Sequence, residues 1–100
     1  MAEKLFFRLL TPMGEVFSCT CDGVDLTAKD DASGHGGGSL GIRRGHLPAA
    51  AALEEGGVLR CVSDGRTVFS CRVRGGFARV SREEVTVLTP EASEIRREGE

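Results

Sequence analysis

Tryptophan and tyrosine are absent from this chain of 100 residues, and phenylalanine occurs only five times. Single-stranded nucleic acids are held on aromatic platforms where bases stack, so that function has little to rest on here. Charge does not supply an alternative. Thirteen basic residues face 15 acidic ones for a formal charge of −2, without the basic excess that phosphate backbones attract. Long apolar runs are missing too, and none approaches the roughly 20 residues of a membrane-spanning helix. The opening Met1-Ala2-Glu3-Lys4-Leu5-Phe6-Phe7-Arg8 lacks the apolar core and cleavage site of a signal peptide. A cytoplasmic chain with reduced thiols is the expectation.

Signals of catalysis are equally sparse. His35 falls in a polar, glycine-rich stretch and reads as solvated. His46 has no Ser or Cys beside it as a nucleophile and no acidic pair, so a structural histidine outweighs a catalytic one. Gly34 to Gly38 lack the Lys-Ser/Thr that closes a phosphate-binding loop, and no helix pattern follows them. They read as a linker-like tip. Cys19 and Cys21 are two residues apart and point the same way on a strand. With Cys61 and Cys71 they make a nominal zinc set. Structural zinc sites, however, pair cysteines across short spacers on tight knuckles, and Cys61 and Cys71 show no such knuckle. Buried core thiols are the favoured reading. Catalytic residues, metal, cofactor and small-molecule substrate are all expected to be none.

What the chain does have is strand pattern and glycine, 14 residues of it. The length fits one domain. In residues 5–11, Leu5, Phe7 and Leu9 share one face and Phe6, Arg8 and Leu10 the other. Strands are also expected over 16–21, 24–28, 58–63, 66–74, 76–80 and 85–89. Asp64-Gly65 between two such runs is a hairpin turn, Gly56-Gly57 a turn, and 29–38 a polar loop. Residues 49–55 favour helix by propensity but are assigned an extended shape. Thr89-Pro90 can start a helix, and 91–98 could form a short, marginal one. Many short strands with regular turns indicate an all-β sandwich or barrel.

Two stretches organise these strands. Ser39-Leu40-Gly41-Ile42-Arg43-Arg44-Gly45-His46-Leu47-Pro48 reads as a shaped corner, with glycines for unusual backbone and Pro48 extending Leu47. Val73-Arg74-Gly75-Gly76-Phe77-Ala78-Arg79-Val80 places a Gly-Gly pair in a strand-like run, a sign of close backbone approach. Gly57-Val58-Leu59 and Val85-Thr86-Val87-Leu88 follow the corner in the expected order, and Leu10-Thr11-Pro12-Met13-Gly14-Glu15-Val16-Phe17-Ser18 opens the chain. Together these motifs resemble the epsilon-subunit family of the F-type ATP synthase, called delta in mitochondria, over residues 5–92 or so.

That resemblance implies a flattened ten-stranded β-sandwich of two five-stranded sheets over 1–89. A charged tail over 90–100 would begin a missing helical hairpin, with at most a short helical turn. It implies a non-catalytic central-stalk subunit that couples ion-driven c-ring rotation to the gamma subunit and the catalytic head. The partners would be gamma and the c-ring, with no nucleic acid and no membrane insertion. Such a subunit would be peripheral on the cytoplasmic side of the inner (plasma) membrane. In the family the helical hairpin can extend along gamma and inhibit ATP hydrolysis, and in some members it binds ATP. The chain as given is expected to do neither. Interface candidates are Ser39, Leu40, Ile42, Arg43, Arg44 and His46. The family commonly has an acidic residue where Ser39 stands, and the Arg43-Arg44 pair makes this corner more positive. The alternatives are a small cytoplasmic β interaction module and a cysteine-based metal or redox protein.

Overall fold

The alternation read from the sequence becomes a β-sandwich in the computed structural model, which describes residues 4–29, 38–45 and 48–98. Its strands are β1 (Leu5–Thr11), β2 (Gly14–Cys21), β3 (Gly23–Ala28), β4 (Gly38–Arg43) and β5 (Ala49–Ala52). After them come β6 (Glu55–Ser63), β7 (Arg66–Arg74), β8 (Phe77–Val80), β9 (Glu84–Leu88) and β10 (Ala92–Arg97). Two five-stranded sheets result, the first ordered β2-β1-β9-β8-β5 and the second β10-β7-β6-β3-β4. All neighbours run antiparallel except β1 and β9, which are parallel. No helix occurs among the described residues.

Side chains two apart along a strand face one way, so each sheet turns one set inward. Leu5, Phe7 and Leu9 of β1 and Val85 and Val87 of β9 are fully buried. Against them pack Val24, Ile42, Leu59 and Phe69 of the second sheet. Each such burial stabilises the fold by about 1.5–3 kcal/mol. Phe17 of β2 stacks on Phe69 of β7 with ring centroids 3.9 Å apart. The Arg97 guanidinium lies 4.7 Å from the Phe17 centroid, closing that margin of the sandwich with a cation–π contact.

Local chemistry sets the turns. Asp64 and Gly65 have φ of 53° and 76°, the left-handed pair that a two-residue hairpin requires. Gly76, at φ 107°, is where the backbone passes closest to its neighbour: a Cβ there would lie 2.1 Å from the Leu88 carbonyl oxygen. Close approach, one of the two readings of Gly75-Gly76, is thus what the fold uses. Ala49–Ala52 is extended despite its helix propensity, because it pairs with β8 along the edge of the first sheet.

Two expectations need correction. Residues 92–97 form β10 where at most a short, marginal helix was expected. A stretch this short with no apolar stripe makes a marginal helix at best, whereas the free edge of β7 offers partners. Arg74 N donates to Glu91 O at 3.0 Å, and Glu98 N donates to Val68 O at 2.8 Å. Arg66 clamps Glu98 through two hydrogen bonds of 2.7 and 3.0 Å. Gly56-Gly57, expected as a turn between strands, lies inside β6, where the register with β7 slips between Glu55 and Val58. The chain bulges there instead of reversing. Most of the glycine-rich loop, His35, His46 and Leu47 lie outside the described residues.

Candidate docking surface

The outward set of the first sheet carries the feature that needs explaining. Register places Leu10 beside Leu88, Leu88 beside Phe77, and Phe77 beside Ala52, an unbroken apolar row across four strands. Phe77 is 59% exposed and Leu88 44%. Two rows along β1, beyond Arg8, Phe6 is exposed as well. A groove of about 440 Å³ runs along the row between Pro12, Phe77, Leu88 and Pro90 and is almost wholly apolar. Beside it the surface turns polar. Arg8 hydrogen-bonds Glu15 at 3.2 Å, and Arg79 stands opposite Thr86.

The corner between β4 and β5 joins the two sheets at one end of the sandwich. Arg44 Nη2 donates to Glu83 Oε1 at 2.8 Å, and Gly45 N donates to Arg82 O at 2.8 Å. The corner is thereby tied to the β8–β9 turn. Arg43 lies flat across Gly23, where a Cβ would fall 2.2 Å from its Nη1. It reaches Asp25 Oδ1 at 3.4 Å and its neighbour's carbonyl, Ile42 O, at 3.0 Å. At the same end Lys4 pairs with Asp22, and Asp64 N donates to Asp22 Oδ2 at 2.7 Å. That backbone donor and Lys4 hold the Asp22 carboxyl below its ordinary range.

The six corner candidates do not form one surface. Ile42 is a correction: its side chain is fully buried in the core and cannot meet a partner. Leu40 is half-buried and packs on the core. Ser39, Arg43 and Arg44 are exposed, and His46 lies outside the described residues. Ser39 pairs with Thr27 near the start of β4 and Arg43 with Gly23 at its end. Ser39 and Arg44 thus sit at opposite ends of a strand, about 16 Å apart at the rise of extended chain. Sequence proximity suggested one patch, and strand geometry splits it.

The apolar row is visible in the sequence only when register is known. Phe77 and Leu88 are eleven positions apart, and pairing alone makes them neighbours. The cysteines behave similarly. Cys21, Cys61 and Cys71 are buried and Cys19 is half-buried, all as free thiols. Cys61, which sequence spacing sets apart, meets Cys19 and Cys21 across the sandwich.

Comparison with known proteins agrees with this architecture. Residues 4–95 match the model of the β-sandwich domain of the ATP synthase delta/epsilon chain. The chain is 35% identical over 91 residues to the ATP synthase epsilon chain of Caulobacter vibrioides, covering 91% of this chain and 95% of that one. It is 40% identical over 89 residues to the epsilon chain of Synechococcus sp. strain WH7803, covering 89% of this chain and 59% of the relative. The Parvibaculum lavamentivorans epsilon chain is 35% identical over 88 residues and is covered over 61% of its length. The chain therefore spans nearly all of one relative and about three fifths of the other two. Among solved structures, a chain of the Euglena gracilis mitochondrial ATP synthase superposes with a TM-score of 0.71 at 20% identity, over 91% of this chain and 53% of that one. A chain of the Tetrahymena thermophila central stalk and c-ring gives 0.60 at 19% identity, over 90% and 66%. Both likenesses are of fold.

Proposed function

The chain belongs to the delta/epsilon family of ATP synthase subunits, and from that premise we propose that it is a non-catalytic rotor subunit of the central stalk. It passes the turning of an ion-driven c-ring to the gamma subunit, and so to the catalytic head. The observation that carries this reading is the apolar row Leu10–Leu88–Phe77–Ala52 on the outside of the first sheet. Monomers rarely leave such a contiguous apolar patch to water, and gamma is its occupant here.

Ring contact falls at the Ser39 end of β4, because that end is exposed and lies beside the apolar groove. Ala28 there pairs with Gly38 and bridges to Leu53, which follows Ala52 of the row. Arg43 and Arg44, at the other end, act chiefly within the fold by fastening the corner to Asp25 and Glu83. Transmitting torque needs a body that does not yield, and a close-packed sandwich resists compression. Its station is the cytoplasmic side of the inner membrane, reached through the complex. No helix among the described residues is long and apolar enough to cross a membrane.

Co-expression with the gamma subunit and c-ring of the same organism tests the assignment. The chain is expected to co-purify with them, and Leu88→Glu is expected to abolish the association while the isolated variant keeps its β-rich circular dichroism. Retention of gamma by a folded Leu88→Glu chain would remove the docking surface from the account. ATP turnover by the purified chain alone would overturn the non-catalytic assignment.

A further inference from the structure

The inner ends of β2 and β6 bring together three sulfurs that torque transmission does not use. Cys19 and Cys21, two apart on β2, both face inward, and Cys61 of β6 meets them from the opposite sheet. The three Sγ atoms all lie within 4.8 Å of one another. On a tetrahedron with zinc–sulfur bonds of about 2.3 Å, ligand sulfurs stand about 3.8 Å apart. Small side-chain rotations therefore close the triad on an ion. We propose that Cys19, Cys21 and Cys61 form a metal site that takes one thiophilic divalent ion, Zn²⁺ foremost, and pins the two sheets together.

The ion class follows from charge and surroundings. Soft thiolates select Zn²⁺ or Cu⁺ over hard cations. Three thiolates around a monovalent ion would leave two negative charges in a core lined by Leu5, Val24 and Phe69, whereas a divalent ion leaves one. Cys21 and Cys61 are fully buried and Cys19 is half-buried, so Cys19 marks the side open to entry and to a water as fourth ligand. Core packing alone does not need three neighbouring thiols where Val would fill the space. Cys71 stands outside the cluster, opposite Leu59, and is an internal control.

The test uses the whole chain, purified under reducing conditions and titrated with Co²⁺ and then Zn²⁺. One Co²⁺ per chain should bind with sulfur-to-metal charge-transfer absorption and intense tetrahedral visible bands, and Zn²⁺ should displace it. Zinc should protect three of the four thiols from alkylation and raise the melting temperature. Cys61→Ala is expected to weaken binding by about a hundredfold or more, and Cys71→Ala to leave it unchanged. Should Cys61→Ala not fold, Cys19→Ser at the half-exposed position carries the same expectation, with the metal-free melting curve as control. A spectrum without thiolate bands, binding that survives either triad variant, loss of binding in Cys71→Ala, or preference for Cu⁺ over both divalent ions would each overturn the assignment. Isolation of the chain with a disulfide within the triad under these reducing conditions would do the same.

Discussion

The two sheets turn equivalent strand faces inward and very different ones outward. Outside the first sheet, the row Leu10–Leu88–Phe77–Ala52 is apolar from end to end. Outside the second, the row Asp25–Arg60–Ser70–Arg96 is polar, with Ser70 itself buried. Asp25 there reaches Arg43 at 3.4 Å and Arg60 at 3.7 Å. An antiparallel sheet with one solvated side ordinarily carries polar residues on it, as the second sheet does. The first sheet departs from that rule on its outer face alone, with its core intact. The core therefore does not account for those side chains, and the docking surface proposed above does.

The largest expected effect breaks the comparison at its centre. Leu88→Glu places a carboxylate in the middle of the apolar row, and gamma binding should fall by well over a hundredfold, since a buried unpaired charge costs about 3–5 kcal/mol. Arg60→Glu, its counterpart outside the second sheet, should change gamma affinity less than about threefold, the scale of a rim contact. Surface plasmon resonance on the two variants measures both. Equal losses would mean that the contrast between the faces has no bearing on docking. Phe77→Ala sharpens the same point more gently, with an expected loss of about 2 kcal/mol, near thirtyfold in Kd.

Stability should respond to different residues. Gly76→Ala asks a left-handed φ of 107° and a 2.1 Å clash with the Leu88 carbonyl to be tolerated together. Urea denaturation should show a loss of about 2–4 kcal/mol, and the β8–β9 pairing that lines up Phe77 and Leu88 should loosen with it. Asp25→Ala removes two partly exposed ion pairs from the second sheet, and only about 0.5–1 kcal/mol should go. If Asp25→Ala cost more than Gly76→Ala, the polar face would be a structural element and not a solvated one.

Much of this was legible in the sequence. Period-two alternation located β1 and β7 with their correct ends, and Asp64-Gly65 announced its turn. Motif order pointed to ten strands in two sheets. Besides the Gly56-Gly57 bulge, four features escaped, each for the same reason. β10 reads as a charged helix until Arg66, Arg74 and Phe17, all distant in the chain, supply its partners. Ile42 sits among corner residues but belongs to the core, because its neighbours on the inward face are remote. Ser39 and Arg44 look adjacent and are separated by a strand's length. Cys61 has no knuckle of its own and finds Cys19 and Cys21 only through the stacking of the sheets. Local pattern fixes strands and turns, whereas sites arise from register and sheet stacking.

The smallest expected effect concerns the charged end of the sandwich, opposite the groove. Asp22 accepts a hydrogen bond from Asp64 N at 2.7 Å and pairs with Lys4, so the β2–β3 turn is fastened to the β6–β7 hairpin by one carboxylate. The Asp64 amide, foremost, and then the Lys4 ammonium favour the ionised form and lower the folded-state pKa. A carboxyl with a depressed folded value contributes stability that is fully present above its unfolded pKa of about 3.9. That contribution is lost as pH falls through the lower, folded value. Asp22→Asn keeps an oxygen for the Asp64 amide and removes the charge and the acceptor that Lys4 uses. Wild type should therefore melt above Asp22→Asn at neutral pH, and the gap should close below pH 4 or so. The gap should also narrow in high salt, because the Lys4 pair is partly exposed and screened. A gap that persists unchanged into acid would assign the fastening to shape and hydrogen bonding, with no part for the charge.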